Sequence, residues 1–366
     1  MEINLFKLMH GCCAPDAGTQ VNTTQNYVNA YDGSTTAFAA PNDLSSLMKT
    51  YYDTELLENA RPNLIHAQFA RKQPLPKGRG KKVEWRKFNT LADASALTEG
   101  VIPTGQKFGQ SSMSASILQY GTYLTVSDQL ELHAIDNVIL GATEELGASA
   151  GTTQDKLVRD TLAAGTTVQY CDKVSAAGAH TAVETRAGMD ATSKLTPTEV
   201  NKAVTTLKKL KAPTINGKYV AIIHPSVSYD LRENKEWIEA HKYAAVTPLF
   251  TGEIGELHGV RFIETTEAKI WNNSTCPVKT AAASGNPAVY YSVYSTLFLG
   301  KDAFGMIDPE GGGLEMIVKS KEQAGGPLNQ FSTLGYKFST ATKILYQDRM
   351  VRVESLSEYS GTDEAN

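Results

Sequence analysis

Residues 74–88 read PLPKGRGKKVEWRKF and place six basic side chains and one acidic side chain within fifteen positions. The whole chain of 366 residues nevertheless carries a formal charge of −4, so this positive charge is local. Val83 and Trp85 alternate with Glu84 and Arg86, which is the period of a β-strand, and the Lys-Gly-Arg-Gly-Lys sequence before them favours a turn. We therefore predict that this stretch is the outgoing leg of an extended β-structure.

The return leg is predicted over residues 114–126, SASILQYGTYLTV, because its apolar residues recur at every second position. One face of this leg consists of Leu118, Tyr120, Leu124 and Val126. Together, residues 72–126 form a two-legged β-extension whose outgoing leg is too polar to be a core strand. Such a loop has no core of its own, so it requires burial from another surface.

The segment before the loop does not supply that burial. Residues 11–43 are rich in Thr, Asn, Gly, Ser and Ala without clear periodicity, which predicts an extended arm. The stretch DLSSLMKTYYDTELLENARP, residues 43–62, has apolar residues at helical spacing and predicts a short helix that ends before Pro62.

A long helix is predicted directly after the loop. Asp128 and Glu131 are spaced like a capping box at its start. Apolar or small residues then follow at intervals of three and four, at Leu132, Ile135, Ile139, Ala142, Leu146, Ala150, Thr153 and Leu157. A continuous helix that reaches almost to Gly165 would be about 55 Å long, at roughly 1.5 Å per residue. A helix of that length is typical of an element that braces an extended structure.

The next part of the chain predicts a compact mixed α/β unit. Thr196 is the expected N-cap of a helix with Pro197 at its first position and Glu199 at its third, and Pro213 closes it. Its buried stripe is predicted to be Val200, Ala203, Val204, Leu207 and Leu210.

Strands and short helices are predicted after that helix from apolar runs and caps. The strands are KYVAIIHP (218–225), GVRFIET (259–265) and AVYYSVYSTLFLG (288–300), and the helices are PSVSYDLREN (225–234) and KEWIEAHKY (235–243). LGYKFSTATKILYQDRMVRVESL, residues 334–356, predicts a pair of strands in which Val351 and Val353 alternate with Arg352 and Glu354, and an acidic tail follows over residues 358–366.

Composition limits the classes of function. The charge of −4 and a pI near 6.0 argue against a dedicated DNA-coating protein. No run of about 18 apolar residues occurs, so no membrane partner is expected. The four cysteines form no C-x-x-C pair, which argues against a zinc knuckle or a disulfide framework and favours a reducing, cytosolic compartment.

The motifs with possible chemistry lack the context that their chemistry requires. Ser149 lies in a G-x-S-x-G sequence, but within a predicted helix rather than after a strand, so close helix packing explains the small residues better than a nucleophile does. Residues 78–82, GRGKK, lack the hydroxyl residue of a phosphate-binding loop. The seven histidines show no metal-ligand spacing, and His224 is expected to be a strand-ending structural residue. We predict no catalytic, cofactor or metal site.

A resemblance to a known family rests on several segments in the same order. They are YYDTELLENARPNLIHAQFA (51–70), LPKGRGKKVEWRKF (75–88), LTEGVIPTGQ (97–106), QYGTYLTVSDQLEL (119–132), YVAIIHPSVSYDLREN (219–234), LFTGEIGELHGVRFIET (249–265), FLGKDAFG (298–305) and ATKILYQDRMVRVES (341–355). In these segments the chain resembles the major capsid proteins of N-four-like tailed bacteriophages. The order of arm, loop, long helix and α/β unit is similar to that of the Hong Kong 97 capsid fold.

The resemblance implies an α+β capsid fold with an N-terminal arm, an extended β-hairpin loop, a peripheral domain with a long spine helix, and an axial α/β domain. The implied boundaries are 1–71 for the arm and lead-in helices, 72–126 for the loop, 127–195 for the spine helix and peripheral domain, 196–330 for the axial domain, and 331–366 for the return strands and acidic tail.

The resemblance also implies a function without enzymatic activity or cofactors. The chain would assemble with itself, as hexamers and pentamers, into an icosahedral head around double-stranded DNA, which its inner face would contact non-specifically. A portal protein and separate scaffolding or decoration proteins would be its other partners, and assembly would occur in the host cytoplasm before the protein is part of the virion.

The basic segment acquires a specific role in this interpretation. Its charge is expected to meet acidic surface on a neighbouring copy rather than nucleic acid. The residues expected to make this inter-subunit contact are Lys77, Arg79, Lys81, Lys82, Trp85, Arg86 and Lys87. Three alternatives remain open: an encapsulin-like protein compartment, a nucleic-acid-binding protein, and a hydrolase that uses Ser149.

Overall fold

The computed structural model describes residues 21–22, 65–78, 80–88, 91, 93–94, 96–97, 99–100, 102, 105–133, 138–175, 177–242, 253–281, 288–324 and 328–366. Apart from Val21 and Asn22, the predicted arm lies outside these residues, as does the helix predicted over residues 43–62. The chain divides into two compact units. The first contains residues 1–61, 119–150 and 312–339, and the second contains residues 62–118, 151–311 and 340–366.

The described residues form six α-helices and nineteen strands, with short 3₁₀ turns at His66–Phe69, Arg186–Gly188 and Gln347–Arg349. The helices are α1 (Asp128–His133), α2 (Val138–Ala163), α3 (Pro197–Lys209), α4 (Pro225–Glu233), α5 (Lys235–Lys242) and α6 (Lys321–Ala324). The strands are β1 (Val21–Asn22), β2 (Arg71–Leu75), β3 (Lys82–Phe88), β4 (Gln110–Ser116), β5 (Leu118–Ser127), β6 (Val168–Tyr170), β7 (Lys173–Val174), β8 (His180–Thr181), β9 (Tyr219–Ile223), β10 (Glu253–Leu257), β11 (Val260–Glu264), β12 (Ile270–Trp271), β13 (Val278–Thr280), β14 (Val289–Tyr290), β15 (Val293–Leu299), β16 (Phe304–Pro309), β17 (Glu315–Lys319), β18 (Phe331–Ile344) and β19 (Met350–Ser355).

The first unit is built on the neighbouring strands β1, β5, β18 and β17. β5 and β18 approach closely because each has a glycine at the contact: a Cβ on Gly121 would lie 2.4 Å from the carbonyl oxygen of Tyr336, and one on Gly335 would lie 2.8 Å from Cβ of Tyr123. Any side chain there would push the strands apart, so these two glycines set the strand spacing.

The helices of the first unit differ in detail from the predicted single rod. α1 is capped by Ser127, whose hydroxyl accepts a hydrogen bond from the backbone N–H of Leu130 at 3.4 Å, so the cap lies one residue before the predicted Asp128. α2 has 26 residues, which corresponds to about 39 Å. The junction between α1 and α2, residues 134–137, lies outside the described residues, so the predicted continuity is not tested.

A mixed seven-stranded sheet forms the centre of the second unit, in the order β10, β11, β9, β15, β19, β6, with β12 beside β15. β9 runs parallel to β11 and antiparallel to β15. All five residues of β9 are buried, as predicted for this strand. The apolar run at residues 288–300 forms two strands, β14 and β15, rather than the predicted single one.

Both faces of this sheet are covered. Tyr219, Ala221 and Ile223 of β9 point into a core with α3, α4 and Trp237, whereas Val220 and Ile222 pack with Val158 and Leu162 of α2. The predicted stripe of α3 is confirmed at Val200, Ala203, Val204 and Leu207, but Leu210 is 40% exposed because α3 ends at Lys209.

β19 is buried on both faces, and its polar face carries paired charges. Glu354 is fully buried and accepts hydrogen bonds from Arg186 Nε at 2.6 Å and from Arg352 Nε at 3.0 Å. Arg186 also stacks on the ring of Trp271, with Cζ 3.9 Å from the centroid. The predicted alternation of valines with charged residues is present along this strand, but both faces are buried. Val351 and Val353 lie in an apolar core, and Arg352 and Glu354 lie on the face with paired charges. β19 pairs with β15 and β6, not with β18.

The acidic tail lies against the second unit. Tyr294 donates a hydrogen bond from its hydroxyl to Asp363 at 2.6 Å, and the side chain of Asn366 bonds to the backbone of Ile270 and Ala268, each at 3.0 Å. The tail therefore continues the hydrogen bonding of the sheet. Within the described ranges, no helix combines the length and the apolar character needed to cross a bilayer.

A buried pair joins the start of the loop to α2. His66 Nδ1 lies 2.6 Å from Asp155 Oδ2, and the backbone N–H of His66 donates to Asp155 Oδ1 at 2.8 Å. His66 is fully buried, and Asp155 is 2% exposed. Because β2 begins at Arg71, shortly after His66, this pair holds the start of the loop against α2.

We predict that Asp155→Ala lowers the free energy of unfolding by about 3 kcal/mol, because it leaves a buried histidine and a buried backbone N–H without an acceptor. Chemical denaturation followed by circular dichroism measures this loss. Asp308→Ala removes an exposed carboxylate of β16 and should change stability by less than about 0.5 kcal/mol. Equal losses in the two variants would contradict the anchoring role of the pair.

Candidate functional site

The basic stretch forms one strand of a regular two-stranded hairpin. β3 and β4 pair antiparallel over seven residue pairs, from Lys82 opposite Ser116 to Phe88 opposite Gln110. The backbone N–H of Ile117 donates to the carbonyl of Lys81 at 2.9 Å, next to the pair of Lys82 and Ser116. This bond closes the end of the hairpin that we call its root. Seven residues at about 3.3 Å each make the paired region about 23 Å long.

One face of this hairpin is apolar at its root. Val83, Trp85, Ala115 and Ile117 pack together against Ile307 of β16, with Leu75 and Ala341 at the margin. Gly305 favours this close contact, because a Cβ there would lie 3.3 Å from Trp85 Cζ2 and 3.1 Å from Leu345, so both side chains would have to move slightly. The hairpin is therefore attached to its own subunit by apolar burial at one end.

The opposite face of the hairpin is polar and exposed. Lys82, Glu84 and Arg86 alternate along β3 and lie opposite serines of β4. Arg86 and Glu84 approach to 3.8 Å, but both side chains are largely exposed, so their attraction contributes little to stability. These charges are available to a partner.

The seven predicted contact residues have different environments. Lys81, Lys82 and Arg86 are exposed, whereas Arg79 lies outside the described residues. The remaining three contact their own chain, although Lys77 is exposed as well. Trp85 belongs to the root cluster, and the side chain of Lys77 covers Gly311.

Lys87 contacts the loop before β19. Its Nζ lies 3.8 Å from Asp348 Oδ2 and 4.8 Å from the ring centroid of Tyr346. The guanidinium of Arg349 lies on the same ring, 3.9 Å from its centroid. Lys87 therefore contacts a part of its own chain outside the hairpin.

The far end of the hairpin exposes apolar side chains, which the sequence analysis did not identify. Phe88, Leu91, Leu97, Ile102 and Phe108 are between 52% and 94% exposed. Phe88 and Phe108 stack on each other, with centroids 4.9 Å apart and rings inclined by 19°. Several exposed large apolar residues within one short segment indicate an interaction surface. The apolar residues of ALTEGVIP, residues 96–103, are the sequence signal for this surface.

Ser149 does not occupy a nucleophile elbow. It lies within α2, and its hydroxyl oxygen is 3.3 Å from the hydroxyl of Tyr336. A nucleophile elbow requires a sharp turn between a strand and a helix, which this position lacks. The geometry therefore favours the packing role that the sequence suggested.

His224 has the expected structural role. Its Nδ1 accepts a hydrogen bond from the backbone N–H of Ser226 at 3.2 Å and caps α4, and its ring lies 5.0 Å from that of Tyr294. Burial lowers the pKa of His224, although the negative charge of Asp363 opposes this effect. An imidazole held neutral as a hydrogen-bond acceptor is suited to capping a helix.

Comparison with known proteins gives a consistent result. A family model described as phage capsid protein matches residues 44–324. Among curated proteins, no sequence matches significantly. Among solved structures, the capsid of Ralstonia phage GP4 is similar with a TM-score of 0.60 at 12% identity, over 91% of this chain and 99% of that one.

Two further solved structures illustrate the range of the fold. The capsid of cyanophage P-SCSP1u has a TM-score of 0.58 at 15% identity, over 84% of this chain and 93% of that one. The SrpI encapsulin of Synechococcus elongatus has a TM-score of 0.52 at 9% identity, over 88% of this chain and 97% of that one. These similarities establish a mixed α+β fold of the Hong Kong 97 type.

We predict that Trp85→Ala weakens the root of the hairpin. A fully buried tryptophan contributes about 3–5 kcal/mol, and Trp85 is half-buried, so we expect a loss of about 2 kcal/mol in chemical denaturation. Trp85→Phe should be nearly neutral, because Trp85 Nε1 is buried without a hydrogen-bond partner among the described residues. Two equally destabilised variants would contradict this prediction, because Phe keeps a large buried aromatic ring and Ala does not.

The His224 environment predicts a pH dependence. The pKa is lower in the folded protein than its unfolded value of about 6.5, so the unfolded state binds more protons below that pH. Stability should fall as pH decreases from about 6.5 to the folded pKa. Asn caps helices well and does not titrate, so His224→Asn should lose less stability than wild type between about pH 7 and pH 5 in urea denaturation. Identical losses would contradict this assignment.

Proposed function

The chain belongs to the phage capsid protein family, and from that premise we propose that its exposed hairpin joins each copy to a neighbouring copy in the shell. The protein is a phage major capsid protein, a structural component of the virion rather than an enzyme. In the proposed shell, the copies assemble as hexamers and pentamers into an icosahedral head that encloses double-stranded DNA.

The observation that carries the hairpin's role is the exposed apolar tip. Ile102 is 94% exposed and Leu97 is 76% exposed, although such side chains are normally covered in a finished assembly. The root of the hairpin is packed within its own subunit, whereas the large apolar side chains that the structure describes at the tip are exposed. A second copy is the partner that a self-assembling shell supplies at high local concentration.

Charge supports the same partner. Residues 74–88 contribute +5 to the formal charge of −4, so the rest of the chain carries −9. The rest of a neighbouring copy therefore has an excess of acidic groups for the exposed cations Lys81, Lys82 and Arg86 to meet. Charges at the rim of such a contact steer association and set its register more than they set its affinity.

We assign the parts of the chain by the order in which the family arranges them. Residues 1–71 are the arm and lead-in helices, 72–126 the extended loop, 127–195 the spine helix and peripheral domain, 196–330 the axial domain, and 331–366 the return strands and tail. Lys77, Trp85 and Lys87 then hold the loop to its own subunit, and Arg79 remains a proposed contact. The motifs from YYDTELLENARP to the final strand support placement among the N-four-like phages.

Other partners follow from the proposed shell. A portal protein would occupy one vertex, separate scaffolding or decoration proteins would act during or after assembly, and the inner face would contact DNA non-specifically. Assembly would take place in the host cytoplasm. Family membership favours this head over an encapsulin-like compartment, and the content of purified particles, DNA or enzyme cargo, decides between them.

We predict that the double variant Lys81→Glu, Lys82→Glu folds normally but forms few shells. Negative-stain microscopy and sedimentation of wild type, with a scaffolding protein where one is needed, should show shells or capsomers. The variant should remain mostly dispersed, because repulsion replaces attraction at the contact while surface charges contribute little to folding.

The matched control is Lys208→Glu, Lys209→Glu, which reverses an adjacent pair of exposed lysines at the end of α3. This control should assemble as wild type does. Normal shells from the hairpin variant would refute the role given to its cations, and a wild type that stays monomeric under every assembly condition would refute self-assembly itself.

A further inference from the structure

Three potential metal ligands from separate segments meet in the second unit. Asp172 follows β6, His180 begins β8, and Glu199 lies in the first turn of α3. One ligand atom of each lies within 4.8 Å of the other two. His180 Nδ1 is 4.0 Å from Asp172 Oδ2. The set combines one imidazole nitrogen with two carboxylate oxygens, which is a donor set typical of transition-metal sites.

A cation already lies between the two carboxylates. Lys202 donates from its ammonium group to Glu199 Oε1 at 2.8 Å and also to Asp172 Oδ2. Gln169 donates to the other oxygen of Glu199 at 2.9 Å. The side chain of Glu199 is only 2% exposed and that of Asp172 only 12%. Two shielded carboxylates and one ammonium leave a formal charge of −1 beside the histidine.

We propose that Asp172, His180 and Glu199 bind one divalent transition-metal ion, such as Zn²⁺, and that Lys202 takes the place of the ion when none is bound. The donor types carry the choice of ion. Mg²⁺ and Ca²⁺ prefer oxygen ligands alone, whereas Zn²⁺ binds imidazole and carboxylate together.

The geometry requires small movements of the exposed members only. Metal–ligand distances of about 2.1 Å in a tetrahedral site place donor atoms about 3.4 Å apart, so the donors must close by about 1 Å. The side chains of His180 and Lys202 are 42% and 43% exposed, so the imidazole can approach and the ammonium can turn out to solvent. Glu199 stays fixed by its place in α3 and by Gln169.

Binding would have a mechanical consequence. His180 belongs to the small hairpin of β7 and β8, in which Lys173 pairs with Thr181 and Val174 pairs with His180. An ion bound to His180, Asp172 and Glu199 would fasten this hairpin to the first turn of α3. This consequence does not depend on the proposed shell, so the inference stands or falls independently of it.

The test is isothermal titration of the full-length, chelator-treated protein with ZnCl₂ at neutral pH, alongside thermal unfolding with and without Zn²⁺. Wild type should bind one Zn²⁺ per chain. Lys202→Met removes the competing ammonium and should bind at least about tenfold more tightly, whereas His180→Ala loses a ligand and should bind at least about tenfold more weakly.

Lys202→Met has a second signature. Without metal, its facing carboxylates lose their cation, so its melting temperature should fall below that of wild type, and Zn²⁺ should restore it. Lys208→Met and His133→Ala are controls that remove exposed side chains of the same types elsewhere. Both should titrate as wild type does.

The inference is overturned if neither wild type nor Lys202→Met binds Zn²⁺. It is equally overturned if His180→Ala binds as tightly as wild type, because the ion would then lie elsewhere. MgCl₂ in place of ZnCl₂ should give no comparable binding or thermal shift, and an equal response to Mg²⁺ would contradict the role of the imidazole.

Discussion

A two-stranded hairpin cannot bury a core of its own, and the β3–β4 hairpin shows how this constraint shapes the chain around it. Its root is stabilised by packing of Trp85 and Val83 against Ile307. That contact is favoured by the glycine at position 305 and by the parallel pairing of β2 with β16, which places Leu75 beside the cluster. The far end has no equivalent support within the described residues. The hairpin therefore packs against its own subunit at the root, and its described apolar residues at the tip remain exposed.

Buried polar and charged pairs connect parts of the second unit that are distant in sequence. His66 and Asp155 are 89 residues apart, and Arg186 and Glu354 are 168 residues apart. Such pairs add little net stability, since each partner loses its hydration, but an incorrect pairing would leave a buried polar group without its partner. Arg352 also donates to the carbonyl of Gly165 at 3.1 Å, just after the end of α2. We infer that these pairs specify which segments meet, while the apolar clusters supply most of the stability.

Sequence patterns predicted the local structure well where local physics decides it. The start of α3 at Pro197, the buried strand at residues 219–223 and the stripe from Val200 to Leu207 follow from caps and periodicity, and all three are confirmed. The pattern was wrong at Leu210, where the helix has already ended. It also assigned the cap of α1 to Asp128, although Ser127, one residue earlier, has the geometry to accept the bond.

Non-local features could not be predicted in this way. Arg352 and Glu354 have the period of a solvent-facing strand edge, and only the fold brings Arg186 and Trp271 onto that face. Lys87 contacts its own subunit and Lys82 is exposed. This difference depends on the loop that contains Asp348. Asp172, His180 and Glu199 have no spacing that marks a metal site, because three separate elements position them.

The division of the hairpin into a packed root and an exposed tip also constrains the symmetry of the proposed contact. A hairpin with an apolar tip and the exposed cations Lys82 and Arg86 along one face is not complementary to another copy of itself, because like charges would face each other. The surface that receives it must be a different part of the neighbour, with apolar and acidic character. A contact between two different surfaces is heterologous, and heterologous contacts close into rings when the rotation between copies divides a full turn. One such contact, with a small change in angle, can therefore serve rings of both six and five copies, which is what a closed shell built from a single chain requires.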